Sequence, residues 1–598
     1  MKPFFPSIAA ILLALAALAP ATLAQQDPSP RLKSPPPPQQ AQGQPQRRPP
    51  ARPVVGVSGR YLAARVAEQM NDYDAASGYA DVAMGAMPQD DELRYTAFRL
   101  RLYAGRIEPA AQLAPHVLTE RPTDGFANLV MALQAVKRGD ARAAEAQLNR
   151  IGAENQLGPL KDYVLAWMKA GQKDFAGART HLAKLKPAAG QRAEAPALVI
   201  EAQIDELAGD RAAAETKYRR AVELDRAGLR TTIAVADGLR RLGKADEART
   251  LLRVYGEKHS DSVVMDPLLA ANAQPRPLTP AIGISEILFD IGGILGADPR
   301  QQRADLALVF LNLAVDLRPD HDFALLMMSG LFEQFENIPK AVATLQRIPV
   351  ASPLSWQARL RAASLDAQQD RIEQAVERLR ALMAEKPERI DAAIALGDVL
   401  RTKERFAASV AAYDVAIRRL KSVEERHWVL FFSRGIGLER TKQWPKAEAD
   451  MKRALELAPE QPYVLNYLGY SWIDQGMHLK EGMNLLKRAT DLRPDDGAIS
   501  DSVGWAYYRI GKFETAVEWL EKAAEQKGDD ATIVEHLGDA YWHVGRKREA
   551  RFQWERALRQ KPEKDRVPIL NDKLVNGLTP GNDKPTVYEK PADRPQGG

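Results

Sequence analysis

A small residue recurs along this chain of 598 residues at a nearly constant interval, and this constrains the fold more than any other feature. Most successive positions are 34 residues apart, and a single step of 59 residues separates Ala248 from Ala307. A fixed period of this length indicates stacked two-helix units, in which a small side chain lets the two helices cross closely. The positions are Ala76, Ala110, Ala144, Ala178, Ala214, Ala248, Ala307, Ala341, Ala375, Ser409, Ala447, Gly482, Ala516 and Ala550.

The unit at residues 531–564 shows the pattern most clearly. We expect Gly538 and Ala550 to mark the crossing of its two helices, with Tyr541 and Trp554 filling the space beside it. Its remaining pattern residues are Leu537, Gly545 in the turn, Ala557 and the terminating Pro562. Two further units carry comparable sets, which are Gly435, Leu438, Trp444, Ala447, Met451, Ala454, Pro459 and Gly504, Tyr507, Gly511, Phe513, Ala516, Leu520, Ala523.

These sets resemble the tetratricopeptide repeat, and the resemblance covers roughly residues 61–564. It implies an all-α fold, a tetratricopeptide α-solenoid that forms a superhelix of about 14 helix-turn-helix repeats with disordered termini. The repeat pattern encodes helix packing, so most of its residues are expected in the core. One inserted residue before Gly482 is needed to keep the unit at residues 462–494 in register.

The long step divides the array into two parts. Residues 261–280 contain four prolines and no helical periodicity, which predicts an irregular connection between an N-terminal array at 61–260 and a C-terminal array at 281–564. This connection is interpreted as a plain linker, a hinge or a loop that contacts a ligand. A capping helix is expected at 565–578, because terminal repeats need a polar outer face, and a disordered tail at 579–598.

The N-terminus predicts export. Residues 1–24 combine Lys2, an apolar stretch and a small-x-small cleavage site, which is typical of a signal peptide rather than of a membrane span. The alternative is an uncleaved anchor. The absence of cysteine excludes a bacterial lipoprotein anchor, so we expect a periplasmic protein with no transmembrane span after cleavage.

The basic charge of the chain lies in a tether. Residues 25–60 are rich in proline and glutamine and carry a net charge of +5, which predicts a disordered tether. The whole chain also carries +5 and Lys2 contributes +1, which leaves −1 for residues 61–598. A nearly neutral array argues against nucleic acid as a partner.

No catalytic or cofactor motif is present. The eight histidines form no HExxH pair, and the chain has no GxSxG elbow and no glycine-rich phosphate loop. His536 and His543 share a helix face, but two residues are too few for a metal site. We therefore expect no enzyme activity, no cofactor and no bound metal.

The concave positions of the last repeats carry many aromatic and charged side chains. Because the repeat pattern already supplies a core, these aromatics are interpreted as a partner-binding groove, in which they can bury area with little loss of rotamer entropy. The alternative is that they pack between adjacent first helices. The groove residues are Phe432, Tyr463, Asn466, Tyr470, Asp474, Asp501, Trp505, Tyr508, Arg509, Glu535, Asp539, Trp542 and His543.

The leading hypothesis is a non-catalytic protein–protein interaction scaffold or adaptor that is exported to the periplasm. The alternative is a polysaccharide-binding factor of envelope assembly or export, with Trp505, Tyr508 and Trp542 stacked on sugar rings. The architecture resembles the envelope adaptor lipoprotein that presents cell-wall hydrolases to a carboxyl-terminal processing protease. This resemblance implies a protein or peptide partner of the envelope, such as a protease or a cell-wall hydrolase.

Overall fold

The computed structural model describes residues 56–152, 157–184, 191–226, 228–259, 262–270, 272–297, 303–584, 586 and 587. The predicted signal peptide at 1–24 and most of the tether at 25–60 lie outside these ranges. Within them the regular elements are helices and no strand occurs, so the expected all-α fold is confirmed.

Thirty α-helices follow one another along the described ranges. They are α1 (Val57–Gln69), α2 (Tyr73–Ala86), α3 (Asp91–Tyr103), α4 (Ile107–Glu120), α5 (Gly125–Lys137), α6 (Ala141–Leu148), α7 (Gly158–Gly171), α8 (Phe175–Ala183), α9 (Gln191–Leu207), α10 (Arg211–Leu224), α11 (Leu229–Arg241), α12 (Ala245–His259), α13 (Ser262–Leu269), α14 (Pro280–Ala297), α15 (Ala304–Leu317), α16 (Asp322–Gln334), α17 (Ile338–Leu345), α18 (Ser355–Gln368), α19 (Ile372–Glu385), α20 (Asp391–Thr402), α21 (Phe406–Arg419), α22 (Trp428–Arg440), α23 (Trp444–Leu457), α24 (Pro462–Asp474), α25 (Leu479–Leu492), α26 (Gly497–Arg509), α27 (Phe513–Gln526), α28 (Ala531–His543), α29 (Lys547–Arg559) and α30 (Arg566–Asn576).

The helices pair into fourteen hairpins over the described ranges, with α13 and α30 outside the pairs. Each of the fourteen recurring small residues lies in the second helix of its hairpin and is buried. In the last hairpin, a Cβ atom built on Gly538 would lie 2.6 Å from Trp554 Nε1 and 3.1 Å from the carbonyl oxygen of Ala550. Side-chain size at the crossing therefore sets the period, and the predicted repeat architecture is confirmed.

Local sequence signals begin and reverse the helices. Six helices of the N-terminal half begin after an aspartate whose carboxylate accepts a hydrogen bond from the backbone N–H three residues later, which stabilises the first turn. These N-caps are Asp72, Asp90, Asp124, Asp140, Asp174 and Asp210. The turn inside most hairpins contains one residue with positive φ, and glycine fills it at Gly105, Gly139, Gly209, Gly243, Gly476, Gly511 and Gly545.

The inserted residue before Gly482 has a local structural solution. His478 adopts a left-handed backbone conformation, with φ of 45°, immediately before α25. The turn of this hairpin therefore holds two residues with positive φ, Gly476 and His478. The extra residue is absorbed in the turn, and the helix crossing at Gly469 and Gly482 is preserved, since each would bring a new Cβ within 3.0 Å of the other's carbonyl oxygen.

The chain forms two compact units, unit 1 at Met1–Arg378 and unit 2 at Leu379–Gly598. Their boundary differs from the interruption in the repeat period. In unit 1, α14 packs against first helices α5 and α7, and α15 packs against α3 and α5. One apolar cluster consequently runs from Tyr73 to Leu365, and the hairpin that follows the interruption belongs to the same core as the earlier ones.

Close contacts fix this arrangement in unit 1. Gly283 of α14 lies against the indole of Trp167, where a Cβ atom would come within 2.0 Å of Cε2. On α15, the Asn312 amide nitrogen donates hydrogen bonds to the carbonyl oxygens of Leu102 at 3.0 Å and Tyr103 at 3.1 Å. These carbonyls end α3, so a side chain from a distant hairpin adds hydrogen bonds at a helix C-terminus, where the regular helical pattern stops.

The connection at 261–280 is more ordered than the sequence predicts. Ser262–Leu269 form helix α13, which contains Pro267, while residues 272–279 are non-helical and contain Pro275 and Pro277. The Arg276 guanidinium contacts Asp237 at 2.8 Å, and its carbonyl accepts a hydrogen bond from Arg241 at 2.6 Å. These anchors favour a fixed structural connection over a hinge.

A cluster of charges joins the connection to the helices of unit 1. Glu286 on α14 contacts Arg230 at 2.7 Å and Arg318 at 2.6 Å, and Arg230 also pairs with Asp290. Burial acts to raise the pKa of Glu286, but the charges of Arg230, His321, Arg276 and Arg318 outweigh it and hold that pKa well below its usual range. Glu286 is therefore ionised and electrostatically central to this region.

Unit 2 ends with two elements that lie beyond the last repeat. Helix α30 packs against α29, in the region where the sequence predicts a capping helix. Residues 579–584, 586 and 587 follow as ordered chain and contact the repeats, which differs from the tail expected to be disordered from residue 579. Residues 588–598 lie outside the described ranges. At the other terminus, α1 begins at Val57, within the predicted tether.

Candidate docking groove

Three first helices of unit 2, α24, α26 and α28, pack side by side and carry most of the predicted groove residues. Residues spaced three or four apart on a helix share one face, so each helix presents a short row toward its neighbours. We use the name C-terminal groove for the surface formed by Tyr470, Asp474, Trp505, Tyr508, Arg509 and His543.

Stacked rings form the floor of the C-terminal groove. Trp505 stacks on Tyr508 with ring centroids 4.7 Å apart and on His536 with centroids 3.8 Å apart. His536 Nδ1 lies 3.0 Å from the Asp501 carboxylate. Burial acts to lower the pKa of His536, but the negative charge of Asp501 outweighs it and the pKa is raised. The sequence placed His536 on this face only as half of an incomplete metal pair.

Two of the aromatic side chains predicted to line the groove are buried in the structure. Trp505 is 4% exposed and Tyr508 is 1% exposed, so the expectation that these aromatic rings face an open hollow is wrong. Tyr470 and Trp542 are half-buried. Neighbouring first helices and the chain beyond α30 cover the rings, because an array of aromatic side chains gains more free energy when it is removed from water.

The remaining predicted residues separate into two groups. Phe432 is buried in another apolar cluster and meets Tyr467 edge to face at 5.8 Å. The Tyr463 ring lies 5.9 Å from the Arg493 guanidinium carbon, and Asn466 is half-buried with its side-chain oxygen lacking a hydrogen-bond partner within the described chain. These three residues do not join the C-terminal groove.

Helix α30 and the turn that follows it contact Glu535, Asp539 and Trp542. The Lys573 ammonium, 1% exposed, contacts Glu535 at 2.7 Å and Asp539 at 2.6 Å. Burial raises the pKa of Asp539, which Lys573 only partly offsets, whereas for Glu535 the charge of Lys573 and the hydrogen bond from Arg566 outweigh burial and lower the pKa. No pattern in the sequence marks Lys573 as buried, since one lysine on a helix is ordinarily exposed.

The chain reverses direction at Gly577. This residue has a φ of 75°, and a Cβ atom would lie 2.0 Å from Trp542, so both the backbone conformation and the neighbouring ring require glycine. A compact turn follows, in which the Asn582 side-chain oxygen accepts from the Thr579 N–H at 2.7 Å and the Asp583 N–H donates to the Thr579 carbonyl at 2.9 Å. The turn directs the chain onto the C-terminal groove.

The described residues between Thr579 and Val587, here called the C-terminal segment, lie in the C-terminal groove. Tyr508 donates its hydroxyl to Asp583, and His543 Nε2 lies 3.0 Å from the same carboxylate. Lys584 contacts Asp474 at 2.9 Å. The Val587 N–H donates to the Arg509 carbonyl oxygen at 2.7 Å, so main-chain as well as side-chain groups hold the segment.

The electrostatics of the C-terminal groove alternate in sign. Asp474 also pairs with Arg509 and accepts from the Trp505 indole N–H at 3.4 Å. Burial acts to raise the pKa of Asp474, but Lys584 and Arg509 outweigh it and lower the pKa. The groove thus presents donors for a carboxylate at Tyr508 and His543, and an ionised acceptor for an ammonium group at Asp474.

The stacked rings of Trp505 and Tyr508 leave little ring surface on which a sugar could stack. The rings of Trp505 and Tyr508 stack on each other and on protein neighbours, and Asp501 and Asp539 are paired with His536 and Lys573. A ring that binds a sugar needs an accessible face. The alternative of a polysaccharide-binding factor therefore lacks the geometry that the sequence suggested.

Comparison with known proteins supports the repeat assignment. Residues 360–422 and 502–565 match the family described as tetratricopeptide repeat. The chain therefore contains tetratricopeptide repeats, and its fold is a tetratricopeptide α-solenoid. Proteins of this class in general bind other proteins or peptides and are non-catalytic scaffolds.

Particular relatives resemble only parts of the chain or its general fold. The TPR repeat-containing protein PA4667 of Pseudomonas aeruginosa is 34% identical over 91 residues, which is 15% of this chain and 15% of that protein. The APC/C hetero-tetramer Cut9–Hcn1 gives a TM-score of 0.37 at 14% identity, covering 88% of this chain and 96% of that one. A tetratricopeptide repeat protein from Parabacteroides merdae gives 0.36 at 16% identity, covering 42% and 98%.

The described part of the chain contains neither a membrane-spanning helix nor a cluster of metal-binding side chains. None of its helices is both long and apolar enough to cross a bilayer. No group of three or more potential metal-binding side chains comes together in the same ranges. His536 and His543 instead contact Asp501 and Asp583 respectively.

Proposed function

We propose that this protein is a non-catalytic scaffold that is exported to the periplasm of a Gram-negative bacterium and binds partner proteins through the C-terminal groove. One observation carries the proposal: the groove accommodates a stretch of polypeptide through Tyr508, His543, Asp474 and the carbonyl of Arg509. A surface that holds one peptide by main-chain and charged contacts has the chemistry to hold another.

The partners are proposed to be envelope proteins. The architecture resembles the envelope adaptor that presents cell-wall hydrolases to a protease, and a protease or a cell-wall hydrolase is accordingly the class of partner that we propose. The signal peptide at 1–24 supports export, and the absence of cysteine supports a periplasmic protein without a lipid anchor.

Site-directed photocrosslinking in the source bacterium tests the groove. A photoreactive phenylalanine analogue replaces the half-buried Tyr470 in the full chain, and a matched control carries it at Glu518, an exposed position on the second helix α27. We expect a discrete protein adduct from position 470 alone. The crosslinked protein is then purified and must bind the unmodified chain in a defined stoichiometry. Equal adducts at both positions, or no direct binding, would contradict the proposal.

Fractionation tests export. The mature protein is expected in the periplasmic fraction with Gln25 as its first residue, as determined by N-terminal sequencing. A chain that retains residues 1–24 in the cytoplasm would contradict the proposed location and leave the groove proposal to be judged by crosslinking.

A further inference from the structure

We propose that the C-terminal segment is an intramolecular competitor for the C-terminal groove, and that the partner presents a peptide with a carboxylate followed directly by a lysine. This inference rests on the proposed function and specifies how the site is regulated and what it recognises. The segment occupies two polar positions of the groove, one at Asp474 and one at Tyr508 with His543.

The contacts define a short recognition pattern. The carboxylate of Asp583 meets two donors, the next residue, Lys584, meets the Asp474 carboxylate, and three residues further the main chain at Val587 donates to Arg509. A Cβ atom on Gly476 would lie 3.5 Å from Val587 Cβ, an ordinary van der Waals distance, so the hairpin turn lies beside a short aliphatic side chain at that place. A partner peptide that combines these groups in the same order would make the same contacts.

The segment is suited to exchange rather than to permanent closure. The Lys584 side chain is 51% exposed in its contact with Asp474, and the side chains of His543 and Asp583 are 28% and 20% exposed in theirs. Such solvent-accessible pairs are weak, in contrast to the Lys573 pairs next to them, which are excluded from water. The short chain between α30 and the groove keeps the competitor at a high local concentration without a strong interaction.

Peptide binding in trans tests the inference. The probe is a fluorescently labelled peptide of residues 579–587, TPGNDKPTV, and a control peptide exchanges the order of its aspartate and lysine. Fluorescence anisotropy compares the wild-type full chain with Asp583→Ala/Lys584→Ala, which frees the groove. The matched control is Glu563→Ala/Lys564→Ala, which removes one exposed charge of each sign outside the groove.

We expect the probe to bind Asp583→Ala/Lys584→Ala about tenfold more tightly than the wild type, because the tethered segment no longer competes. The charge-matched control should behave like the wild type, and the control peptide should bind weakly to all three chains. Equal affinity of the probe for Asp583→Ala/Lys584→Ala, here called the opened chain, and for the wild type would overturn the inference. Equal affinity of the opened chain for the two peptides would also overturn it.

Two further substitutions in the groove, each added to the opened chain, show where the probe binds. Asp474→Asn removes the acceptor for lysine, and Tyr508→Phe removes one donor to the carboxylate while keeping the ring. Each is expected to weaken probe binding several-fold. Circular dichroism establishes that each variant is folded, and the two variants are independent, so that a folding defect in one leaves the other decisive. Full binding to both folded variants would overturn the assignment of the site.

The result separates this inference from the proposed function. If the photocrosslinked partner binds the wild type and the opened chain equally, the competitor is wrong while the scaffold stands. If the probe behaves as expected and no partner binds at the groove, the scaffold is wrong while the competitor stands. A concentration-dependent dimer of the opened chain by sedimentation would overturn the partner peptide and identify a second copy as the occupant.

Discussion

The first helices of the two units are covered in different ways. In unit 1, helices α14 and α15 lie against α3, α5 and α7, and their side chains join one apolar core. In unit 2, the C-terminal segment covers α24, α26 and α28 with one main-chain hydrogen bond and a few charged contacts. The same repeat surface can therefore be covered by helices that belong to the core or by a peptide segment that can exchange. Which of the two occurs depends on the apolar area that the cover buries.

Helix α30 covers α28 through the buried contacts of Lys573, and this covering is here called the permanent cover of unit 2. Lys573→Met retains the length of the side chain but leaves Asp539 buried without its ammonium partner and Glu535 with Arg566 alone, which is expected to cost about 4 kcal/mol of unfolding free energy in this region. Hydrogen exchange measured by mass spectrometry should show α28 and α30 opening about 10³-fold more often. The exposed Lys564→Met serves as the control. An unchanged α28 would place Lys573 outside the permanent cover.

Glu286 tests the corresponding cover in unit 1. Glu286→Gln removes the negative charge shared by Arg230 and Arg318, and we expect a loss of about 3 kcal/mol in the local stability of α11 and α14. Exchange in α26 and α28 should be unaffected. Glu120→Gln, at an exposed position, is the matched control. Equal loosening of both units would remove the distinction between their covers.

The stability that the His536–Asp501 contact contributes to unit 2 is expected to depend on pH. Its folded pKa is raised above the unfolded value of about 6.5, so the His536–Asp501 contact contributes fully below that pH and is lost as pH rises through the folded pKa. Glu535 and Asp539 also face this ring. His536→Asn should destabilise α28 by about 1.5 kcal/mol at pH 5.5 and by less at pH 9. The same loss at both pH values in exchange experiments would contradict this account.

The smallest effect is expected at the C-terminal segment. Asp583→Ala/Lys584→Ala removes solvent-accessible contacts and should cost less than about 1 kcal/mol in the stability of α26. A hydrogen-exchange comparison with Glu563→Ala/Lys564→Ala measures the difference. A loss as large as that of Lys573→Met would mean that the segment is a structural part of unit 2, and the two covers would then be of one kind.

Much of the fold was predictable because its rules are local. The small residue in each second helix and the glycine in a hairpin turn act over a few residues, and both could be recognised in single repeats. The groove was predictable only in outline. Helical register placed Asp474, Trp505 and Tyr508 on one face, but the side chains that cover them come from 75 to 110 residues further along the chain. Whether the predicted residues bind a partner stays a prediction.

The amino-acid sequence by itself determined the hairpins, their number and the face that each first helix presents, because helix period and side-chain size are properties of neighbouring residues. The tertiary structure decided what covers those faces. Asn312 meeting α3, Lys573 between Glu535 and Asp539, and Lys584 at Asp474 are contacts between parts of the chain that no local pattern relates. They depend on how the repeats stack and on where the chain turns at Gly577, and these are decided by burial and charge in the folded molecule.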